Sequence, residues 1–211
     1  MMNSYYIITS ISFDDSKYAY CEPTPDSEYL SPAPKCPLCG EPIGSLLWQE
    51  PRKVILSKPV YGDFVKGVEF LVSANFMSEY EKSSLTGIKC FLSVVVEKVR
   101  YMRNTSKPPP IYYSLDLCYS YARVDFEKSI FKGQKLAEYC ELCSPFGCTL
   151  DEINGIHIDD THWNGEDIFH LHEMGGMIFA SQRFIDFCEN NSFTNLTYVD
   201  TKDVVFGGGL G

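Results

Sequence analysis

Two short cysteine turns, Cys36-Pro-Leu-Cys39-Gly40 and Cys140-Glu-Leu-Cys143, stand 104 residues apart in a chain of 211. A CxxC turn points two thiolates at one spot, and two such turns supply the four sulfurs of a tetrahedral zinc site. If they converge, the fold must bring residue 36 to residue 140, which restricts the topology more than any other feature of the chain. Gly40 suits the tight turn after Cys39, because that position favours a residue free to take positive φ. The rival for a CxxC pair is a redox dithiol, but thioredoxin-like motifs use one pair at a strand-to-helix junction rather than two distant pairs. Four thiolates leave no open position for an activated water, so the expected role of Zn2+ is structural.

The turns open two stretches that repeat each other. Leu71-Val-Ser-Ala-Asn-Phe76, followed by Glu81 and Ser84-Leu-Thr-Gly87-Ile88, matches Phe179-Ala-Ser-Gln-Arg-Phe184, followed by Glu189 and Ser192-Phe-Thr-Asn195-Leu196, at an offset of 108. The cysteines repeat at 104, so about four extra residues fall near Tyr61-Gly-Asp-Phe64 and its richer counterpart Trp163 to Phe169. Ser73 is placed as the N-cap of a helix over 74–84 and Gly87 as its terminator. In the second copy the helix covers 182–191, with Asn195 in the place of Gly87. Gly and Asn are the residues most at ease with positive φ, so the match is physical as well as literal. Chance agreement of common residue types is the competing account.

The fold expected is α+β: two pseudo-repeated lobes, each a CxxC knuckle, strands, one helix and a strand, joined around a structural zinc. The boundaries expected are 1–34 (an N-terminal strand over 4–13, then a Pro-rich lead-in), 35–103 (first lobe), 104–139 (linker and crossing strand), 140–206 (second lobe) and 207–211 (a Gly-rich flexible tail). Strands are read at 54–56, 68–72 and 88–96, at 111–124 crossing toward the second lobe, and near 153–158, 177–180 and 196–200. Residues 125–139 give no firm pattern.

With 45% apolar residues the chain can bury a sizeable core. No stretch approaches the roughly 20 apolar residues of a membrane helix, and Met1 to Phe13 lack the marks of a signal peptide. A cytoplasmic, thiol-reducing location is therefore expected, with no membrane partner. Nine cysteines are an odd count for a disulfide framework. Cys148 is a spare candidate ligand, and Cys21, Cys90, Cys118 and Cys188 read as core or bystander residues.

The net charge is −10. That disfavours nucleic acid, which needs clustered Lys and Arg. From Leu136 to Gln182 there is no Lys or Arg, while nine Asp and Glu fall there. Such a face either steers a basic partner or only aids solubility. Asp159, Asp160, Trp163, Glu166 and Asp167 are the candidate partner-binding residues, a Trp anchor among carboxylates. The alternative is a Trp capping the core beside a polar turn.

Two other classes are weighed. A zinc-dependent enzyme would use the four histidines, all between His157 and His172; yet HExxH is absent, and the deaminase order of HxE before PCxxC fails. No Walker loop, GxSxG or GxGxxG is present, and no catalytic residue is assigned. A zinc-ribbon adaptor for nucleic acid would need a basic patch, and Lys98, Arg100, Arg103 and Lys107 form only a weak one.

The two knuckles, the W-x-G-x-D-x-F pattern of Trp163, Gly165, Asp167 and Phe169, and the block with Ser181 and Phe184 resemble the bacterial double-CxxCG motif proteins. These overlap with immunity proteins of polymorphic or contact-delivered toxin systems. The resemblance spans about Lys35 to Val199, and departs from the motif where Ser144 replaces the second glycine. It implies a small toxin-neutralising binding protein rather than an enzyme, a toxin–antitoxin role with a cognate toxin as partner, and metal ligands at Cys36, Cys39, Cys140 and Cys143; the acidic face adds the expectation that this toxin is basic.

Overall fold

The computed structural model describes residues 3–8, 17–25, 29–30, 35–43, 47–48, 51–103, 106–133, 139–144 and 151–207. In chain order the strands are β1 (Tyr5–Ile8), β2 (Cys21–Pro23), β3 (Tyr29–Leu30), β4 (Leu47–Trp48), β5 (Arg52–Leu56), β6 (Phe64–Val65), β7 (Leu71–Ser73), β8 (Ile88–Val99), β9 (Tyr112–Leu117), β10 (Arg123–Val124), β11 (Ile130–Lys132), β12 (Glu152–Asn154), β13 (Ile158–Asp159), β14 (Ile168–Phe169), β15 (Ile178–Ser181), β16 (Tyr198–Asp200) and β17 (Val205–Phe206). The helices are α1 (Ala74–Lys82) and α2 (Gln182–Asn190). The protein is α+β, mostly strands. Cys148, residues 9–13 of the opening strand, residues 134–138 and the last four residues lie outside the described residues.

Two sheets dominate. One has the order β2-β5-β8-β9-β7-β6, the other β14-β15-β1-β16. In the first, β7 pairs antiparallel with β9, Ser73 opposite Tyr112. In the second, β15 pairs antiparallel with β1, Ser181 opposite Tyr5. The N-terminal strand thus completes the sheet built by the C-terminal half. Residues 111–124, expected to cross as one strand, break into β9, which lies inside the first sheet between β7 and β8, and the short β10. Val124 of β10 instead faces Ile158 of β13.

Each helix starts on a serine. Ser73 Oγ accepts from Phe76 N at 3.2 Å, and Ser181 Oγ accepts from Phe184 N at 3.3 Å. These caps satisfy amide donors that the first helical turn leaves over. Each serine hydroxyl in turn donates 2.8 Å to a carboxylate, Ser73 to Asp63 and Ser181 to Asp167. The second oxygen of each carboxylate accepts from the opposite half of the chain: Asp63 Oδ2 from Thr194 N at 3.0 Å, and Asp167 Oδ2 from Thr86 N at 3.0 Å. Burial alone would raise the Asp63 pKa; hydrogen bonds from Thr194, Ser73 and Asn75 outweigh it and bring the pKa below its ordinary value.

Gly87 does not end α1, which closes earlier with Ser83 as its C-cap. Its φ of +114° serves a close approach instead: a Cβ there would sit 1.8 Å from the Ile168 carbonyl oxygen. Asn195 at φ +66° holds the corresponding place, its side-chain amide donating 2.7 Å to Phe64 O. Between the sheets lies an aromatic core in which Phe64, Phe76 and Phe184 are fully buried. Phe76 contacts Phe184 across the two helices at 6.1 Å between ring centroids.

Candidate metal centre and acidic face

The two cysteine turns meet. Cys36 Sγ lies 3.8 Å from Cys140 Sγ, and Cys39 Sγ lies 3.6 Å from Cys143 Sγ. All four sulfurs fall within 4.8 Å of one another. A tetrahedral ion with thiolate bonds of about 2.3 Å, as zinc makes, puts its sulfurs about 3.8 Å apart. A disulfide needs about 2.05 Å. The spacing fits a shared ion and not a bond between sulfurs, and all four cysteines are free thiols.

Local bonding explains the convergence. In the first turn Gly40 N donates to Cys36 O at 2.9 Å with Gly40 at φ +79°, and Cys36 N donates to Glu41 O at 2.8 Å. In the second, Ser144 N donates to Cys140 O at the same 2.9 Å. Ser144 is not among the positive-φ residues, so this turn closes without glycine. Arg123 anchors the second turn from β10: its terminal nitrogen Nη2 donates to Glu141 O at 3.0 Å, and its Nε pairs with the Glu173 carboxylate. Tyr119 reaches toward the first turn, its hydroxyl donating 3.4 Å to Ile43 O. Donation from the Cys143 and Leu142 amides lowers the Cys140 thiol to about 6, while burial, then the neighbouring sulfurs, push Cys143 upward. Four thiols converging on one point can take up a cation as their protons leave.

The histidines do not join this cluster, the one such group of Cys, His, Asp and Glu among the described residues. His170 is lowered by burial, and its Nδ1 lies 2.6 Å from Met177 O. His172 is also lowered by burial and packs its ring 5.1 Å from Tyr119. In the weak basic patch, Arg100 is paired with Glu22.

The expected partner-binding residues divide by burial. Asp159 is exposed and sits in β13 opposite Arg123; hydrogen bonds from Thr161 lower its pKa. Asp160 is half-buried and accepts from Asn3 Nδ2 at 2.7 Å and the Tyr5 hydroxyl at 3.1 Å. Trp163 is half-buried, its indole N–H donating to Glu166 O at 3.1 Å and its ring meeting Tyr5 edge-on at 5.4 Å. Glu166 accepts from Ser120 Oγ at 3.0 Å. Asp167 departs from its expected place on the surface. It has no exposure, and its carboxylate is occupied by Ser181, Thr86 and Arg183, so it holds the fold.

Sequence reasoning passed over Arg123, an isolated cation in no motif, and weighed Glu173 only within the acidic run and beside His170 and His172. The structure makes both supports of the second cysteine turn.

Residues 92–203 match the model of the Immunity protein family (Imm11). The chain belongs to this family. The match holds Cys140, Cys143, all of 159–167 and the Asp167–Ser181 lock, while the first cysteine turn precedes it. A search of curated proteins finds no match.

Proposed function

We propose that this Imm11 protein binds and neutralises a cognate, basic toxin, and that a structural zinc ion holds the surface it uses. Family membership is the observation that carries the toxin partner. The four-sulfur cluster supports the zinc: the donor set is all thiolate, the spacing suits a tetrahedral ion, and no ligand position is left for a reacting water. Bound zinc supplies a cross-link between residues 36 and 140, not a reaction. The role is therefore non-enzymatic.

The acidic face supports a basic partner. Asp159 is exposed where it can meet one, and Asp160, Trp163 and Glu166 lie beside it on a braced turn. Carboxylates held in place by internal bonds lose little freedom on binding. We further propose that the two strand–helix units with their serine–aspartate locks are lobes copied from one ancestor, and that the protein works in the reducing cell interior without nucleic acid or membrane as partner. No described helix is long and apolar enough to cross a membrane.

The direct test is co-production with a candidate toxin taken from a neighbouring gene. Growth should be restored, and the purified proteins should form a complex that weakens as salt rises. Absence of both rescue and complex refutes the proposal.

A further inference from the structure

The cysteine cluster opens to solvent on one side. A hollow of about 810 Å³ beside it has Cys39, Cys140 and Cys143 on its wall. Cys39 is exposed, Cys140 and Cys143 are half-buried, and Cys36 is buried. The sulfur contacts run between the turns: Cys39 Sγ faces Cys143 Sγ at 3.6 Å, and Cys140 Sγ faces Cys36 Sγ at 3.8 Å. Each pair therefore holds one sulfur that a small solute can reach from the hollow, with a second sulfur against it. That is the arrangement in which a thiol oxidised by peroxide is resolved by its neighbour to a disulfide. A disulfide needs about 2.05 Å between sulfurs, so closure takes a shift of under about 2 Å in either pair. The Gly40 and Ser144 amides hold the two turns in shape, and Arg123 anchors the second, so the facing sulfurs stay opposed.

We propose that the cluster is a peroxide-responsive site with two cross-linked forms: four sulfurs on a shared ion when reduced, and two disulfides, Cys39–Cys143 and Cys36–Cys140, when oxidised. The oxidant is hydrogen peroxide. The Cys39 sulfur attacks one peroxide oxygen, the O–O bond breaks, and the other oxygen leaves as hydroxide, so Cys39 becomes a sulfenic acid. The Cys143 sulfur then attacks the Cys39 sulfur; the S–S bond forms, the S–O bond breaks, and the oxygen leaves as water with the Cys143 proton. Cys140 and Cys36 repeat these steps with a second peroxide. Each peroxide takes two electrons, so four thiols and two peroxides give two disulfides and four waters. Disulfide sulfurs carry no charge to hold a divalent cation, which departs to solvent. Because both bonds join one turn to the other, residue 36 stays tied to residue 140 after the ion has gone. This role goes beyond toxin neutralisation and does not depend on it.

The test treats the full chain with hydrogen peroxide, blocks remaining thiols with maleimide, digests without reduction and maps the joined peptides by mass spectrometry. A zinc-sensitive dye follows the metal. Peptides joined through 36–140 and 39–143 are expected, with zinc released as they form and taken up again after dithiothreitol. The oxidised protein should melt about 10 °C above the reduced, chelated protein, because the same loop stays closed. Cys90→Ser, exposed and outside the cluster, should give the same map and the same melting shift. Bridges within a turn (Cys36 to Cys39, or Cys140 to Cys143), bridges to a cysteine outside the cluster, or sulfinic acids in place of bridges overturn the proposal. So does an oxidised protein that melts with the chelated one. The zinc reading fails separately. A parent that carries no zinc yet forms both expected bridges supports the peroxide response and overturns the structural ion, whereas a zinc-loaded parent that forms neither keeps the ion and overturns the response.

Discussion

Cutting the cysteine cluster should cost a definite amount of stability. Zinc across Cys36 and Cys140 closes a loop of 104 residues. In chain-entropy terms, closing about 100 residues in the unfolded state is worth about 4.7 kcal/mol. A chain of 211 residues has an unfolding entropy of about 0.44 kcal/mol/K near its melting point. The ratio is a fall of about 11 °C. Closure is the smaller contribution; metal-binding energies of about 10–16 kcal/mol in small zinc domains set the upper bound. Cys36→Ser, Cys140→Ser and the chelated parent should therefore each melt at least 10 °C below the zinc-loaded parent. Calorimetry gives the melting points, and elemental analysis should find about one zinc per parent chain and less in the variants. Cys90→Ser, exposed and outside the cluster, should melt with the parent. If Cys36→Ser and the chelated parent both melt within 2 °C of the zinc-loaded protein, the cluster is not a structural metal site.

Gly87→Ala should destabilise by about 3 kcal/mol or more, a melting shift of roughly 6–12 °C, because its Cβ would meet the Ile168 carbonyl oxygen at a positive φ. Asp167→Ala strips the acceptor from Thr86 N and Ser181 Oγ, and should cost about 3 kcal/mol in denaturant unfolding; Asp167→Asn keeps one acceptor and should cost about half as much. The lowered pKa of Asp63 makes its contribution present above the ordinary carboxylate pKa and lost as pH falls through the folded value. The stability gap between the parent and Asp63→Asn should therefore be constant near pH 7 and shrink below about pH 4, read from unfolding curves across that range.

The convergence of the knuckles was legible because thiolate chemistry allows few readings of paired CxxC turns. Ser73 was legible as a cap for the same kind of reason: an N-cap is a local event, decided within four residues. Gly87 was misread because its positive φ answers to Ile168, 81 positions away, and no local rule reports a carbonyl arriving from there. Asp167 was read as a partner-facing carboxylate beside Trp163, and only the arrival of Thr86 and Ser181 makes it a sealed acceptor. The placement of β1 in the C-terminal half's sheet and of β9 within the first sheet was equally hidden, since alternation marks a strand without naming its neighbours.

The reciprocal bonds change what the metal has to do. Asp63 is satisfied by Thr194 and Asp167 by Thr86, so each half supplies the donor that the other half's helix entry needs. β1 adds a third tie by completing the far sheet. The halves are thus fastened without zinc, and the cluster stands apart from these locks. Two fastenings with no shared residues should act independently. Combining Cys36→Ser with Asp167→Ala should then lower stability by the sum of the separate losses, to within about 0.5 kcal/mol. A coupling well beyond that would mean the ion and the locks hold one common element, and the zinc would return as the main fastener of the two halves.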